Sequence, residues 1–192
     1  VRAAAVDALA KLGDRVPEEV IKDIAARLRD VNWKVRAAAV DALAKLGDRV
    51  PEEVIKDIAA RLRDVNWKVR AAAVKVLAVF KDRIPEEAIM DIAARLRDVN
   101  WKVRAAAVKA LAVFKDRIPG EVIMDIAARL RDDEWEVRAA AVKALAVFKD
   151  RIPEEVILDI AARLRDDDGY VRESTYRTLK IFYESGIPLP GQ

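Results

Sequence analysis

The chain has 192 residues, of which 53% are apolar and 36% charged, and it contains no histidine and no cysteine. That composition can bury a core under a water-facing surface, and it excludes a disulfide framework, a thiolate site and imidazole-based acid–base or metal chemistry. With 36 cations against 33 anions, the net charge of +3 describes a mixed surface rather than a basic domain.

The chain opens on VRAAAVDALAKLG (Val1 to Gly13), which has neither the flanks nor the cleavage pattern of a signal peptide. No run approaches the roughly 18 apolar residues of a membrane span. The same letters return in WKVRAAAVDALAKLG, from Trp33 to Gly47. There Val35, Ala39, Val40, Leu43 and Leu46 share one helical face, and Gly47 is a natural stop. Between two such helices lies PEEVIKDIAARLRD, as at Pro51 to Asp64. Val54, Ile55, Ile58, Ala59 and Leu62 make its apolar stripe, Pro51 suits the first turn, and Glu52 and Glu53 suit the positive end of the helix dipole. We call this helix A and the Trp-led one helix B.

The two alternate with a period of 34 residues, and DVNWKVRAAAV begins at Asp30, Asp64 and Asp98 without a change. Neither helix can bury its stripe alone, so each pair must stack on the next. The pattern predicts an all-α, right-handed solenoid of eleven helices, B-(A-B)×5, about 50 Å long at about 10 Å between packed helices. It reads as one solenoid domain over 1–192, with repeats at 1–34, 35–68, 69–102, 103–136 and 137–170 and a capping half-repeat at 171–192.

The tetratricopeptide pattern W-x2-L-G-x2-Y shares this period but is absent, as is the ankyrin T-P-L-H string. What recurs is D-x5-R with Val before the Arg, then an Ala-rich helix ending in Leu. This resembles HEAT repeats, in particular the short bacterial PBS-lyase type, although many HEAT repeats are longer. The resemblance covers essentially the whole chain. It implies a hydrogen-bonded ladder between layers made by Asp30/Arg36, Asp64/Arg70, Asp98/Arg104, Asp132/Arg138 and Asp166/Arg172, with each Asp accepting from N–H groups that open helix B.

Blocks one and two are identical, which points to recent duplication or deliberate consensus design. The chain starts inside a B helix with no A helix before it, so a fragment lacking its N-terminal cap is expected, with self-association through that uncovered end. At the other end Glu173, Ser174, Thr175 and Tyr176 replace AAAV, the change expected of a cap, and IPLPGQ cannot continue a helix.

No nucleotide-binding glycine motif occurs, and Ser174, Thr175, Thr178 and Ser185 have no base of the right kind nearby. The acidic runs Asp132–Glu134 and Asp166–Asp168 read as helix-start residues rather than as a metal site. No cofactor, metal or catalysis is expected, and with no leader or membrane span the cytoplasm is the expected location.

Recognition should lie where the blocks differ. In a HEAT-like stack the B helices line the concave side. Trp33, Trp67, Trp101 and Trp135 hold one position there, followed by Lys34, Lys68, Lys102 and Glu136. The seventh residue of each block runs Asp7, Asp41, Lys75, Lys109, Lys143, Arg177, and the eleventh runs Lys11, Lys45, Val79, Val113, Val147. The face therefore offers Trp67, Lys68, Lys75, Val79, Trp101, Lys102, Lys109, Val113, Trp135, Lys143, Val147 and Arg177 to a protein or peptide. The alternative occupant is nucleic acid, with the cations tracking phosphates. On the A helices Lys22 and Lys56 give way to Met90, Met124 and Leu158, an apolar row that predicts tighter stacking or self-association.

Overall fold

Each 34-residue block folds into an antiparallel helix pair, and the joints are 3₁₀ turns except between Val147 and Glu154, where the turn is not helical. A computed structural model describes residues 2–189, and of Ala10 and Asp14 only the backbone. Val1 and the last three residues of IPLPGQ lie outside the described residues. The chain divides into two compact units, Val1–Arg95 and Leu96–Gln192.

In the first unit the B helices are α1 (Arg2–Ala10), α3 (Trp33–Leu46) and α5 (Trp67–Phe80), and the A helices are α2 (Glu18–Ala26), α4 (Glu52–Ala60) and α6 (Glu86–Ala94). In the second, α7 (Trp101–Val113), α9 (Trp135–Val147) and α11 (Gly169–Glu184) are B helices, and α8 (Gly120–Ala128) and α10 (Glu154–Ala162) are A helices. The described residues thus hold the eleven α-helices that the periodicity predicts, and the fold is an all-α solenoid. Among the described residues no helix is long and apolar enough to cross a membrane.

B helices stack directly on one another, α1 on α3 on α5 and α7 on α9 on α11, while α2, α4, α8 and α10 each pack on the B helix that follows. The stripe residues Val40, Leu43, Ile58 and Leu62 are fully buried in the first unit, as are Val108, Leu111, Ile126 and Val142 in the second. Small side chains permit the close B-on-B contact: Ala39 and Ala73, Ala107 and Ala141 are completely buried.

Helix A is shorter than its apolar pattern suggests. Pro51 stands just outside α4 with an extended ψ of 155°, and the helix gives way at Arg61–Arg63 to a 3₁₀ turn. The tighter winding lets Leu62 stay buried while the chain reverses into helix B.

Candidate binding face on the B helices

Helices α3, α5, α7 and α11 start where a side chain replaces the missing hydrogen-bond partners of the first turn. Asn66 Oδ1 accepts from Lys68 N at 2.9 Å, and Asn32 and Asn100 do the same for Lys34 and Lys102. The ladder Asp sits one step earlier: Asp64 Oδ1 accepts from Asn66 N at 2.9 Å and so fixes the cap rather than forming it. Among the described B helices only α11 is capped by an Asp, with Asp168 accepting from Tyr170 N and Val171 N.

The ladder arginines reach forward a full layer. Arg36 Nε and Nη2 donate to Asp64 Oδ2 and Oδ1 at 2.7 and 2.8 Å. Arg104 with Asp132 and Arg138 with Asp166 repeat the geometry in the second unit. Burial pushes the Asp64 carboxyl up, but the Arg36 hydrogen bonds and the Asn66 N–H outweigh it and hold the group below the usual carboxylate range. Asp166 is held low in the same way by Arg138 and the Asp168 N–H. The acidic runs are thus occupied structurally, and among the described residues no group of carboxylates is arranged to hold a metal ion.

The ladder between layers that the family resemblance implies is present, but each carboxylate is held by the Arg of another D-x5-R segment. Inside a D-x5-R segment the Arg meets the backbone of the Asp turn and leaves the carboxylate to another layer. Arg36 Nη1 donates to the Asp30 carbonyl at 2.8 Å, and the Asp30 carboxylate instead meets Arg2 of the preceding B helix at 3.1 Å. Arg70 Nη1 donates to the carbonyls of Asp64 and Val65 at 2.8 and 3.2 Å, while the Asp64 carboxylate belongs to Arg36. Arg104 and Arg138 take the carbonyls of Asp98 and Asp132, both at 2.9 Å. Arg172 Nη1 donates to the carbonyls of Asp166 and Asp167 at 2.7 and 2.9 Å, and the Asp166 carboxylate is held by Arg138. The physical reason lies in the turn. One Asp oxygen is committed to the N–H two residues on, which fixes the carboxylate's direction, and the carbonyls of the turn are left without helical partners within reach of the Arg.

A second set of arginines carries no motif that sequence reasoning singled out. Arg49 Nη1 donates to the Gly13 carbonyl at 2.9 Å and its Nη2 to the Val16 carbonyl. Arg151 likewise donates to the carbonyls of Lys115 and Ile118, at 2.8 and 2.6 Å. These clamps tie their B-to-A turns to the turn one repeat earlier, satisfying carbonyls left over at the helix end. The signal was present as an Arg recurring just before Val-Pro or Ile-Pro.

With both turn edges engaged in holding layers together, the variable B-helix positions remain. From the Trp at the helix start, residues four, eight and twelve further on lie on one face. In the first unit that face is acidic and internally matched on one side. Lys45 Nζ contacts Asp7 Oδ1 at 2.7 Å across the layers, and its hydrogen bond, with that of Lys11, holds the Asp7 carboxyl low. Asp41 is exposed by area, yet lost hydration beside the flanking helices pushes its carboxyl up, against the pull of Lys45 and Lys75. On the other side Lys75 is exposed beside Val79, a valine with 57% of its surface in water.

In the second unit every rung is basic. Lys109, Lys143 and Arg177 are exposed, with Val113 and Val147 beside them at 47% and 38% exposure. Lys143 donates to the Tyr170 hydroxyl at 2.6 Å and Arg177 to Glu173 at 2.7 Å. The side chains of Lys75 and Lys109 make no hydrogen bond or ion pair among the described residues.

The tryptophans are neither buried nor idle. Trp33, Trp67 and Trp101 are half-buried, and Trp135 is 38% exposed. Lys68 Nζ lies 4.6 Å from the centre of the Trp33 ring and 5.6 Å from that of Trp67, so one ammonium serves two layers. Lys102 Nζ stands 5.2 Å from Trp101, and Trp135 meets Tyr170 edge-on at 5.6 Å. The A-helix row is also in the open, with Met90, Met124 and Leu158 all exposed.

A family profile for HEAT repeats matches residues 1–78, 55–126 and 123–186. No curated protein matches the sequence. Among solved structures, the chain is similar to an engineered protein at 22% identity, covering 98% of this chain and 92% of that one with a TM-score of 0.59. It is similar at 18% identity to a designed armadillo repeat protein in complex with the peptide (KR)4, over 94% and 91% of the two chains with a TM-score of 0.63. A third likeness, at 22% identity and a TM-score of 0.62, is to the complex of CpcE and CpcF of phycocyanin lyase from Nostoc sp. PCC7120, covering 84% of this chain and 98% of that one. Of two longer solenoids the chain spans only 25% and 38%. At these identities the likenesses describe the fold alone.

Proposed function

The chain belongs to the HEAT repeat family, and we propose that it acts as a non-catalytic scaffold that binds a protein or peptide through its B-helix face. One observation carries this reading: Lys75 and Lys109 stand unpaired beside the exposed valines Val79 and Val113, whereas the arginines at both turn edges are spent on the stack. An apolar side chain flanked by unneutralised charge is the composition of a binding surface rather than of a solvated one. Partly exposed tryptophans on the same helices supply the large rigid anchors on which interfaces concentrate their energy. A repeat protein solved with a bound peptide and sharing this fold supports the same reading.

Nucleic acid is the competing occupant, since the same cations could meet phosphates. Against it, Lys68 is drawn onto indole faces, Lys143 is bonded to Tyr170 and Arg177 to Glu173. Capture from lysate with and without nuclease separates the two, using a variant carrying Lys75→Glu, Val79→Ser, Lys109→Glu and Val113→Ser. All four positions are exposed, so the variant should keep its helical circular dichroism. Retention by the native chain alone, unaffected by nuclease, is the expected result. Loss on nuclease treatment, with affinity falling steeply between about 50 and 200 mM salt, would transfer the face to nucleic acid. Equal retention by the variant would remove the B-helix face from the account.

A further inference from the structure

Two A helices of the second unit each carry a line of exposed residues with the same order of chemistry. On α8 it runs Glu121, Met124, Ala128, Arg131, and on α10 it runs Glu155, Leu158, Ala162, Arg165. Steps of three, four and three keep each line on one helix face. Met124 and Leu158 leave 41% and 50% of their surface in water, so neither serves tighter stacking of the repeats. The first unit has Lys22 and Lys56 at this position, and Lys22 lies 3.5 Å from Glu18 of its own helix.

The charges at the ends of these lines are mostly unspent within the chain. The side chains of Glu121, Glu155 and Arg165 make no hydrogen bond or ion pair among the described residues. Arg131 gives one N–H to Asp159 at 2.7 Å, yet its side chain remains 70% exposed. Each line is therefore acidic at its start, apolar in the middle and basic at its end. Read in the opposite direction, it is its own complement.

We propose that a second copy of this chain docks here, with α8 and α10 of each copy packed antiparallel on those of the other. A two-fold axis between α8 and α10 sets Met124 against Ala162 of the second copy and Leu158 against Ala128. The same axis sets Glu121 against Arg165 and Glu155 against Arg131. Every pairing occurs twice, as an isologous interface requires. The alanines leave room for the larger side chains facing them, and the antiparallel direction opposes the helix dipoles favourably. An exposed apolar row with a charged rim is the composition of such a contact. A partner of one charge sign would answer only one end of each line, whereas a second copy answers both.

Two helices a side make a small interface, so association belongs to micromolar concentrations and the chain is a monomer at trace level in a lysate. The B helices take no part, so this inference and the binding face stand or fall separately.

Sedimentation equilibrium tests the proposal. The mass of the native chain should rise from 21.4 kDa towards twice that value between low micromolar and near-millimolar concentration. Met124→Lys with Leu158→Lys restores the letter of the first two blocks at exposed positions. That variant should keep its helical circular dichroism and stay monomeric. Glu121→Arg and Arg165→Glu each set like charges against each other twice, so either alone should associate less than the native chain. An equimolar mixture of the two restores opposite charges at both contacts and should recover a mixed dimer. The proposal is overturned if the native mass stays that of one chain, if the double lysine variant still dimerises, or if the mixture stays monomeric.

Discussion

Arg36 and Asp64 lie 28 residues apart, yet the guanidinium grips both carboxylate oxygens at 2.7 and 2.8 Å, with only 10% and 4% of the two side chains exposed. The pair belongs to two different layers, so it fixes the step from one repeat to the next. The identical letters of the joint therefore specify a spacing, and the letters that change are released for other work.

Replacing Asp64 by Asn should cost about 3 kcal/mol, because Arg36 keeps its charge in a buried site with half of its partner removed. Chemical denaturation measures this directly. A change below about 1 kcal/mol would mean that the pair contributes little beyond what an exposed ion pair does.

Acid should weaken the same joints. Asp64 and Asp166 have carboxyls held below their ordinary range by Arg36 and Arg138 against the effect of burial. Their contribution is complete above the unfolded aspartate value of about 3.9 and is lost as pH falls below it towards the lower folded values. Stability followed from pH 6 downward should stay level as far as these groups are concerned, then fall. In Asp64→Asn plus Asp166→Asn the fall should be shallower.

The turns that end the B helices carry a conformational cost in one repeat. Gly47 sits at a φ of 52°, and Lys81 takes the same place in the next repeat at 43°. A β-carbon is disfavoured there, so Gly47→Ala should destabilise and Lys81→Gly stabilise, each by about 1 kcal/mol. Nothing lies within 4 Å of a β-carbon added at Gly47, so the effect is one of backbone conformation rather than crowding. Thermal melts of the two variants should move in opposite directions.

Helix α9 lacks the cap its neighbours have. Glu134 stands at the position of Asn32, Asn66 and Asn100, and its side chain makes no capping hydrogen bond. Glu134→Asn should therefore raise stability by about 1 kcal/mol, whereas Asn66→Ala should lower it by about as much.

The architecture was readable because period, apolar stripe and turn residues all repeat, so a single decoded block predicts the rest. The helix B starts at Trp33, Trp67, Trp101 and Trp135 follow directly from the pattern. The exact partner of each ladder arginine did not. Spacing within D-x5-R suggests Asp30 with Arg36, whereas stacking delivers Asp64, and Arg70 and Arg172 meet the Asp of their own segment through its backbone carbonyl. The Arg49 and Arg151 clamps were hidden for a related reason: their acceptors are backbone carbonyls, which leave no letter in the sequence. Whether the tryptophans were packed or open also depended on neighbouring layers, since Trp33 and Trp67 share one lysine between them.

The central claim is that a partner seats on the B helices, and site-specific photo-crosslinking tests it most directly. A benzophenone side chain is placed at Val113 on α7 in one protein and at Leu158 on α10 in another, both exposed positions. After irradiation in lysate, the account predicts a discrete protein adduct from position 113 that unlabelled native chain competes away, and none from position 158. Adducts from position 158 alone would contradict it and place recognition on the A helices.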